Sequence, residues 1–154
     1  MMRPATLEDV PALVEMGAGM AAESPRWNRL TYSGERVGNT LRNLIESPDG
    51  LVLVGERSGG LIAGGIAAIA SPNWMSEEMI VQELALFVRP EFRGSILACR
   101  LICGLAEWAK LKGARWVEAG VSTGVSPERT AALYQRLGFK AFMVGLELEI
   151  PNGN

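Results

Sequence analysis

Apolar positions along this chain switch between the spacing of strands and the spacing of helices, and the order of switching predicts the architecture. Met1-Met2-Arg3 opens as a short strand. Thr6, with Asp9 three residues on, has the signature of a helix N-cap, and Leu7, Val10, Leu13 and Val14 recur at helical spacing, predicting a helix over 7–20. An irregular stretch holding Pro25, Trp27 and Tyr32 follows. Ser33 or Gly34 starts a second helix that stops at Ser47-Pro48-Asp49-Gly50. Leu51 to Glu56 is an apolar run of strand length, Ser58-Gly59-Gly60 turns it, and 61–70 returns as its hairpin partner. Residues 79–88 form another strand. The helix predicted over 95–112 carries Leu97, Leu101, Leu105 and Trp108 as one stripe, with Arg100, Glu107 and Lys110 opposite and Gly113 as its stop. A strand over 115–122, a helix over 127–137 and a last strand over 140–150 complete the series.

Strand, two helices, three strands, helix, strand, helix, strand is the order of an α/β chain whose mixed sheet is covered on both faces by helices. A length of 154 residues buries a sizeable core without metals or disulfides, and no internal repeat divides it, so 1–154 is expected to be a single domain.

Composition then removes whole classes of chemistry. There is no histidine, which excludes Ser-His-Asp and Cys-His catalysis and imidazole metal ligation. Proton transfer falls to Glu, Asp, Tyr, Lys, Cys or water. The two cysteines, Cys99 and Cys103, lie four apart within one predicted helix, a spacing that suits small core residues in a reducing compartment rather than a disulfide framework. With no third thiol and no histidine to complete a ligand set, no metal is expected. A net charge of −2 argues against a nucleic-acid footprint. No apolar run reaches the length of a membrane span, and the N-terminal MMRPATLEDV lacks the apolar core of a signal peptide. The chain is expected to be soluble and cytoplasmic.

Two segments carry candidate chemistry. In Val88 to Ile102, VRPEFRGSILACRLI, an apolar strand ends, turns through Arg93-Gly94-Ser95 and enters a helix. Such a turn leaves backbone N–H groups unpaired at a helix start, a ready anion cradle. In Pro127 to Phe139, PERTAALYQRLGF, a helix carries one tyrosine and closes on Gly138.

At these residues the sequence resembles the GNAT acetyl-CoA-dependent N-acetyltransferases. Their R/Q-x-x-G-x-G/A motif is matched by Arg93 and Ala98 in Arg93-Gly94-Ser95-Ile96-Leu97-Ala98, with Ile96 standing at the middle glycine. Their N-x-x-A-x-x-L-Y-x-x-L-G-F pattern is matched by Leu133-Tyr134 and Leu137-Gly138-Phe139, with Pro127 at the Asn position, Thr130 at the Ala and Ser126 alongside. The resemblance implies the GNAT fold, with a mixed, mostly antiparallel central sheet. It also implies acetyl-CoA as cosubstrate, no metal, and a small-molecule or peptide amine as acceptor.

Residue by residue, the resemblance implies that the amides from Arg93 to Ala98 hold the CoA pyrophosphate, with Ser126 as a further contact. Leu86, Phe87 and Val88 would orient the thioester on a bulged strand. Tyr134 becomes the candidate acid for the departing thiolate, against the reading of a core tyrosine. Glu83 becomes a candidate base, against a strand carboxylate facing solvent or an arginine. Trp27, Tyr32 and Trp74 would border the acceptor pocket, where Glu23, Glu77 and Glu78 suit a cationic amine; the same residues equally suit the edge of a core or an interface. A homodimer is left open. The rival readings are a non-catalytic acyl-CoA-binding or sensing module and a nucleotide-phosphate domain, the latter lacking any P-loop or G-x-G-x-x-G.

Overall fold

A computed structural model describes residues 1–151. The strands are β1 (Met2–Pro4), β2 (Gly50–Glu56), β3 (Ile62–Pro72), β4 (Met79–Val88) and β5 (Val117–Glu118). The helices are α1 (Val10–Glu23), α2 (Gly34–Glu46), α3 (Leu97–Leu111) and α4 (Pro127–Arg136). The sheet runs β1-β2-β3-β4-β5, antiparallel throughout except for the parallel pair β4·β5. This is the helix-covered mixed α/β sheet that the residue pattern predicts, mostly antiparallel as the resemblance implies.

Alternation along β2 shows how the layers form. Leu51 and Leu53 face α3, joining Ile66, Ala68, Val81, Leu101, Ile102 and Leu105, while Val52 and Val54 face α1 and α2 with Leu13, Met16 and Leu44. Both faces of the sheet are therefore buried, and β2 reads as a continuous apolar run for that reason. The start of α3 sits hard against the sheet. A Cβ on Gly55 would overlap the Leu97 side chain, and one on Gly64 would fall 3.1 Å from Leu97 Cδ2, so these glycines are what allow the approach.

The N-terminal cap is electrostatic as well as local. The Asp9 carboxylate accepts from the Thr6 amide at 2.7 Å and from Arg3 at 2.8 and 2.9 Å, and Arg3 also donates to Glu56 at 2.6 Å. The Arg3 hydrogen bonds hold the Asp9 carboxyl at about 2. Leu7–Asp9 is a single 3-10 turn, and the α-helix proper starts at Val10.

Three expectations are corrected. The strand expected over 115–122 pairs only at Val81↔Val117 and Gln82↔Glu118, because Gly120, Ser122, Thr123 and Gly124 then carry the chain away from β4. The last strand expected over 140–150 has the alternation but, among the described residues, no ladder: residues 140–151 are exposed and join no strand, with Glu147 and Glu149 drawn to Arg26 and Arg29. A strand pattern fixes which residues share a face, whereas a strand also needs a neighbour. Finally, Cys103 is exposed and Cys99 half-buried rather than core. They lie about 200° round α3 from its buried Leu97–Leu101–Leu105 stripe.

Among the described residues, no helix is long and apolar enough to cross a membrane.

Candidate active site

The site begins with one extra residue. Ala67 lies opposite Ala85 and Ala68 opposite Glu83, which leaves Leu84 without a partner and bulges β4 there. Beyond the bulge the inward-facing set is re-aimed: Leu86 and Val88 pack toward α3, Phe87 toward α1 and α2. On its other edge β4 loses β5 after Gln82. Backbone from Glu83 onward therefore borders an open cleft of about 360 Å³ instead of a neighbouring strand. Glu83 to Val88 form one wall, Gly120–Thr123 and α4 the other, and the Arg93–Ser95 turn closes one end.

At that end the chemistry suits an anion. Gly94 holds φ +82°, a conformation that favours glycine, and Arg129 Nη2 lies 3.9 Å from where its Cβ would stand. Among the described residues, the Gly94, Ser95 and Ile96 amides donate to no protein acceptor. Arg93, Arg129 and Arg136 all line the cleft. Free amides at the start of α3 beside the Arg129 guanidinium are a donor set that suits a diphosphate, so the residues present fit the CoA pyrophosphate.

Arg93 itself is already engaged. Its guanidinium makes a two-pronged pair with Glu23 at the end of α1, 2.6 Å on one arm, and its Nε donates to the Val88 carbonyl at 3.0 Å. This pairing holds the Glu23 carboxyl below its ordinary range.

Midway along the cleft the Tyr134 hydroxyl, carried on α4, donates a short hydrogen bond to Glu83 Oε2. Phe139 packs edge-on against the Tyr134 ring, centroids 5.1 Å apart, and fixes it. Burial pushes the Glu83 carboxyl up to about 7, with the Tyr134 hydrogen bond opposing part of the rise. Burial and the adjacent Glu83 charge push the Tyr134 phenol up as well. A carboxyl poised near neutrality and a phenol kept protonated are an acid–base pair.

Across the bulge, on the α1–α2 side, lies a second and larger cavity of about 450 Å³. Met20, Trp27, Leu84, Ala85 and Phe87 line both.

The sequence-derived candidates are placed as follows. Glu83, Leu86, Phe87, Val88, Arg93, Gly94, Ser95, Ala98, Ser126 and Tyr134 line the cleft, and Trp27 stands between the two cavities. Tyr32 lines the larger cavity, its hydroxyl donating to the Val14 carbonyl at 2.6 Å. Three candidates stand apart. Trp74, 91% exposed on the β3–β4 turn, borders neither cavity, because that turn lies at the far end of β4 from the bulge. The Ile96 side chain is 61% exposed and outside the cleft, and Leu97 is buried against the sheet with its amide donating to Ser95 Oγ at 3.3 Å. Ser126, at φ +45°, is a left-handed residue at the mouth of α4.

Sequence reasoning missed Arg129 and the Glu23–Arg93 contact. Arg129 had a signal: an arginine in the first turn of a helix opposes the helix dipole and suggests an anion nearby. Glu23 and Arg93 lie 70 residues apart and had none.

A three-layered α/β domain whose bulged, splayed strands open beside an amide-lined turn is an architecture for holding an extended diphosphate-bearing substrate. The sequence model of the acetyltransferase (GNAT) domain matches residues 48–141, and the chain belongs to that family. A Bacillus halodurans protein shares the fold at a TM-score of 0.80 with 16% identity, over 97% of this chain and 99% of its own. A Trypanosoma brucei acetyltransferase aligns at 0.75 with 20% identity, over 97% and 99%. An aminoglycoside acetyltransferase from an uncultured soil sample aligns at 0.71 with 21% identity, over 97% of each chain. No curated protein matches the sequence significantly.

Proposed function

We propose that this acetyltransferase-family chain is an N-acetyltransferase moving acetyl from acetyl-CoA to an amine by direct attack in a ternary complex. The observation that carries the reading is the Glu83–Tyr134 pair, set beside the β4 bulge in the cleft that the amide turn closes at one end. Acetyl-CoA supplies an activated thioester carbonyl. The cradle and Arg129 hold its diphosphate, and the free edge of β4 at Leu86–Val88 aligns the thioester.

As the C–N bond forms and the C–S bond breaks, the nitrogen must lose a proton and the sulfur must gain one. Glu83, its carboxyl pushed up to about 7, takes the amine's proton directly or through water in its ionised form. Tyr134 donates its own to the sulfur, and Glu83 refills the phenol through the hydrogen bond they share. The pair ends the cycle in its starting protonation state.

The departures at Ile96 and Pro127 favour a second reading, a non-catalytic acyl-CoA-binding or sensing module. Incubation with acetyl-CoA and a panel of amines, following release of free thiol, separates the two. The sensor binds acetyl-CoA and releases none beyond the blank.

A further inference from the structure

We propose that the amine accepted at this site is a monoamine with an aryl or branched-alkyl body, bound in the larger cavity between α1, α2 and the sheet; this rests on the transferase reading above. The cavity, at about 450 Å³, is the size of small-molecule sites. Its walls are side chains such as Leu13, Met16, Val37, Leu41, Val52 and Phe87. Among the described residues no carboxylate lines it, and the one charged residue that does, the exposed Arg36, is a cation.

The acids that suggested a cationic acceptor are elsewhere. Glu23 is paired to Arg93, and Glu77 and Glu78 stand on the distant β3–β4 turn with Trp74. The Tyr32 hydroxyl is spent on Val14. A polyamine or aminoglycoside entering here would bury further ammonium groups without a partner, which is costly. A single amine on an apolar body avoids that cost. The same dry walls favour its neutral, nucleophilic form, since desolvation lowers an ammonium pKa. The cavity meets the cleft at Leu84–Ala85, where the nitrogen would emerge beside the thioester.

The test uses 2-phenylethylamine and spermidine with acetyl-CoA and thiol detection, alongside acetyl-CoA thermal shift. The expected result is a kcat/KM for 2-phenylethylamine at least tenfold above that for spermidine. Val37→Trp, or the milder Ala21→Leu, should raise its KM about tenfold and leave the acetyl-CoA thermal shift unchanged. A preference for spermidine, or plugs without effect on KM, overturns the proposal. Absence of an acetyl-CoA shift instead strikes the transferase reading, and calorimetry with 2-phenylethylamine alone then decides the cavity: binding abolished by Val37→Trp upholds it, no binding overturns it.

A separate observation concerns the C-terminal arm. Phe142, Val144, Leu146, Leu148 and Ile150 alternate onto one face of an extended segment and are between 65% and 94% exposed, with Met143 also bare. Monomers rarely expose so contiguous an apolar surface. Phe139 anchors one end of the arm in the core, and Arg26 and Arg29 clamp Glu147 at 2.9 and 2.7 Å near the other. Among the described residues the arm makes no ladder between these anchors, and the outer edge of β5 has no partner strand.

We infer that the arm adds as a strand to the β5 edge of a second copy. One chain presents both the free strand and the free edge, so a two-fold exchange satisfies both at once and closes. The edge it would cover continues into Gly120–Thr123, a wall of the cleft, so each copy would brace the other's site.

Sedimentation from 5 to 100 µM should show a dimer that Val144→Glu combined with Leu146→Glu converts to monomer. Hydrogen exchange at 119–122 and 141–149 should be slow in the dimer and fast in that variant. A monomeric wild type, a variant that stays dimeric, or a dimer unprotected at 119–122 overturns the exchange.

Discussion

Tyr134 and Glu83 stand 51 residues apart in sequence and share one hydrogen bond across the cleft, the phenol donating and the carboxylate accepting. Neither group has an ordinary affinity for its proton: both are shifted up, burial being the leading cause for each. The pair separates a catalytic role from a packing role because the two roles fail differently.

Tyr134→Phe keeps the ring against Phe139 and deletes the hydroxyl. It should fold, bind acetyl-CoA nearly as well, and lose turnover by about 10²-fold or more, the scale of a positioned acid. Melting curves and rate constants on one preparation check this. Turnover kept with a lowered melting temperature would make the hydroxyl a structural partner only.

Glu83 gives a signed pH prediction. Its folded value of about 7 stands above the unfolded 4.5, so the native state holds the proton over that interval. Stability is therefore greatest below pH 4.5 on this group's account, falls as pH rises through the window, and carries the full deficit above 7. Glu83→Gln removes the buried charge and should raise Tm at pH 8 by several degrees, each kcal/mol being worth roughly 2–4 °C in a chain this size. At pH 5 the gain should shrink. The same variant should lose most activity, and with it the rising limb of kcat/KM centred near pH 7.

Legibility in the sequence followed the range of the interaction. The element order and the two-faced sheet were readable because periods of 2 and 3.6 are local, and Leu51–Val54 alternate whatever lies around them. The turn at Arg93-Gly94-Ser95 was readable because the chain must turn there between a strand and a helix. What escaped depends on neighbours distant in sequence. Residues 140–150 carry a strand's pattern, but no local rule supplies the missing partner. Glu23 reaches Arg93 only because α1 ends over the turn. Trp74 sits in an aromatic- and acid-rich loop like Trp27, yet the direction of β4 puts it at the opposite end of the sheet.

The Glu23–Arg93 pair sets up a competition. A carboxylate occupies the guanidinium that the cradle would otherwise offer to phosphate. Glu23→Gln should free Arg93 and tighten acetyl-CoA several-fold, whereas Arg93→Ala should weaken it by roughly 1–3 kcal/mol if the arginine turns to phosphate. Calorimetry on both variants measures this. No gain in Glu23→Gln would mean that the salt bridge persists when ligand binds and that Arg93 buttresses the turn instead.

Ile96 is the departure that most invites the view of a blocked cradle, since its family counterpart is glycine. The structure predicts otherwise. Its side chain points out of the cleft, and its amide remains free to donate. Ile96→Gly should leave acetyl-CoA affinity within about twofold while costing up to about 1 kcal/mol of stability through backbone freedom. Arg129→Ala is the informative contrast. Arg129 is exposed, so the change should barely move Tm, yet it removes a cation beside Gly94 and should weaken acetyl-CoA about tenfold, the weight of one charge-assisted hydrogen bond. The loss should shrink for dephospho-fragments lacking the diphosphate. If Ile96→Gly tightens binding strongly and Arg129→Ala changes nothing, the diphosphate sits deeper in the turn than the free amides of Gly94 and Ser95 indicate.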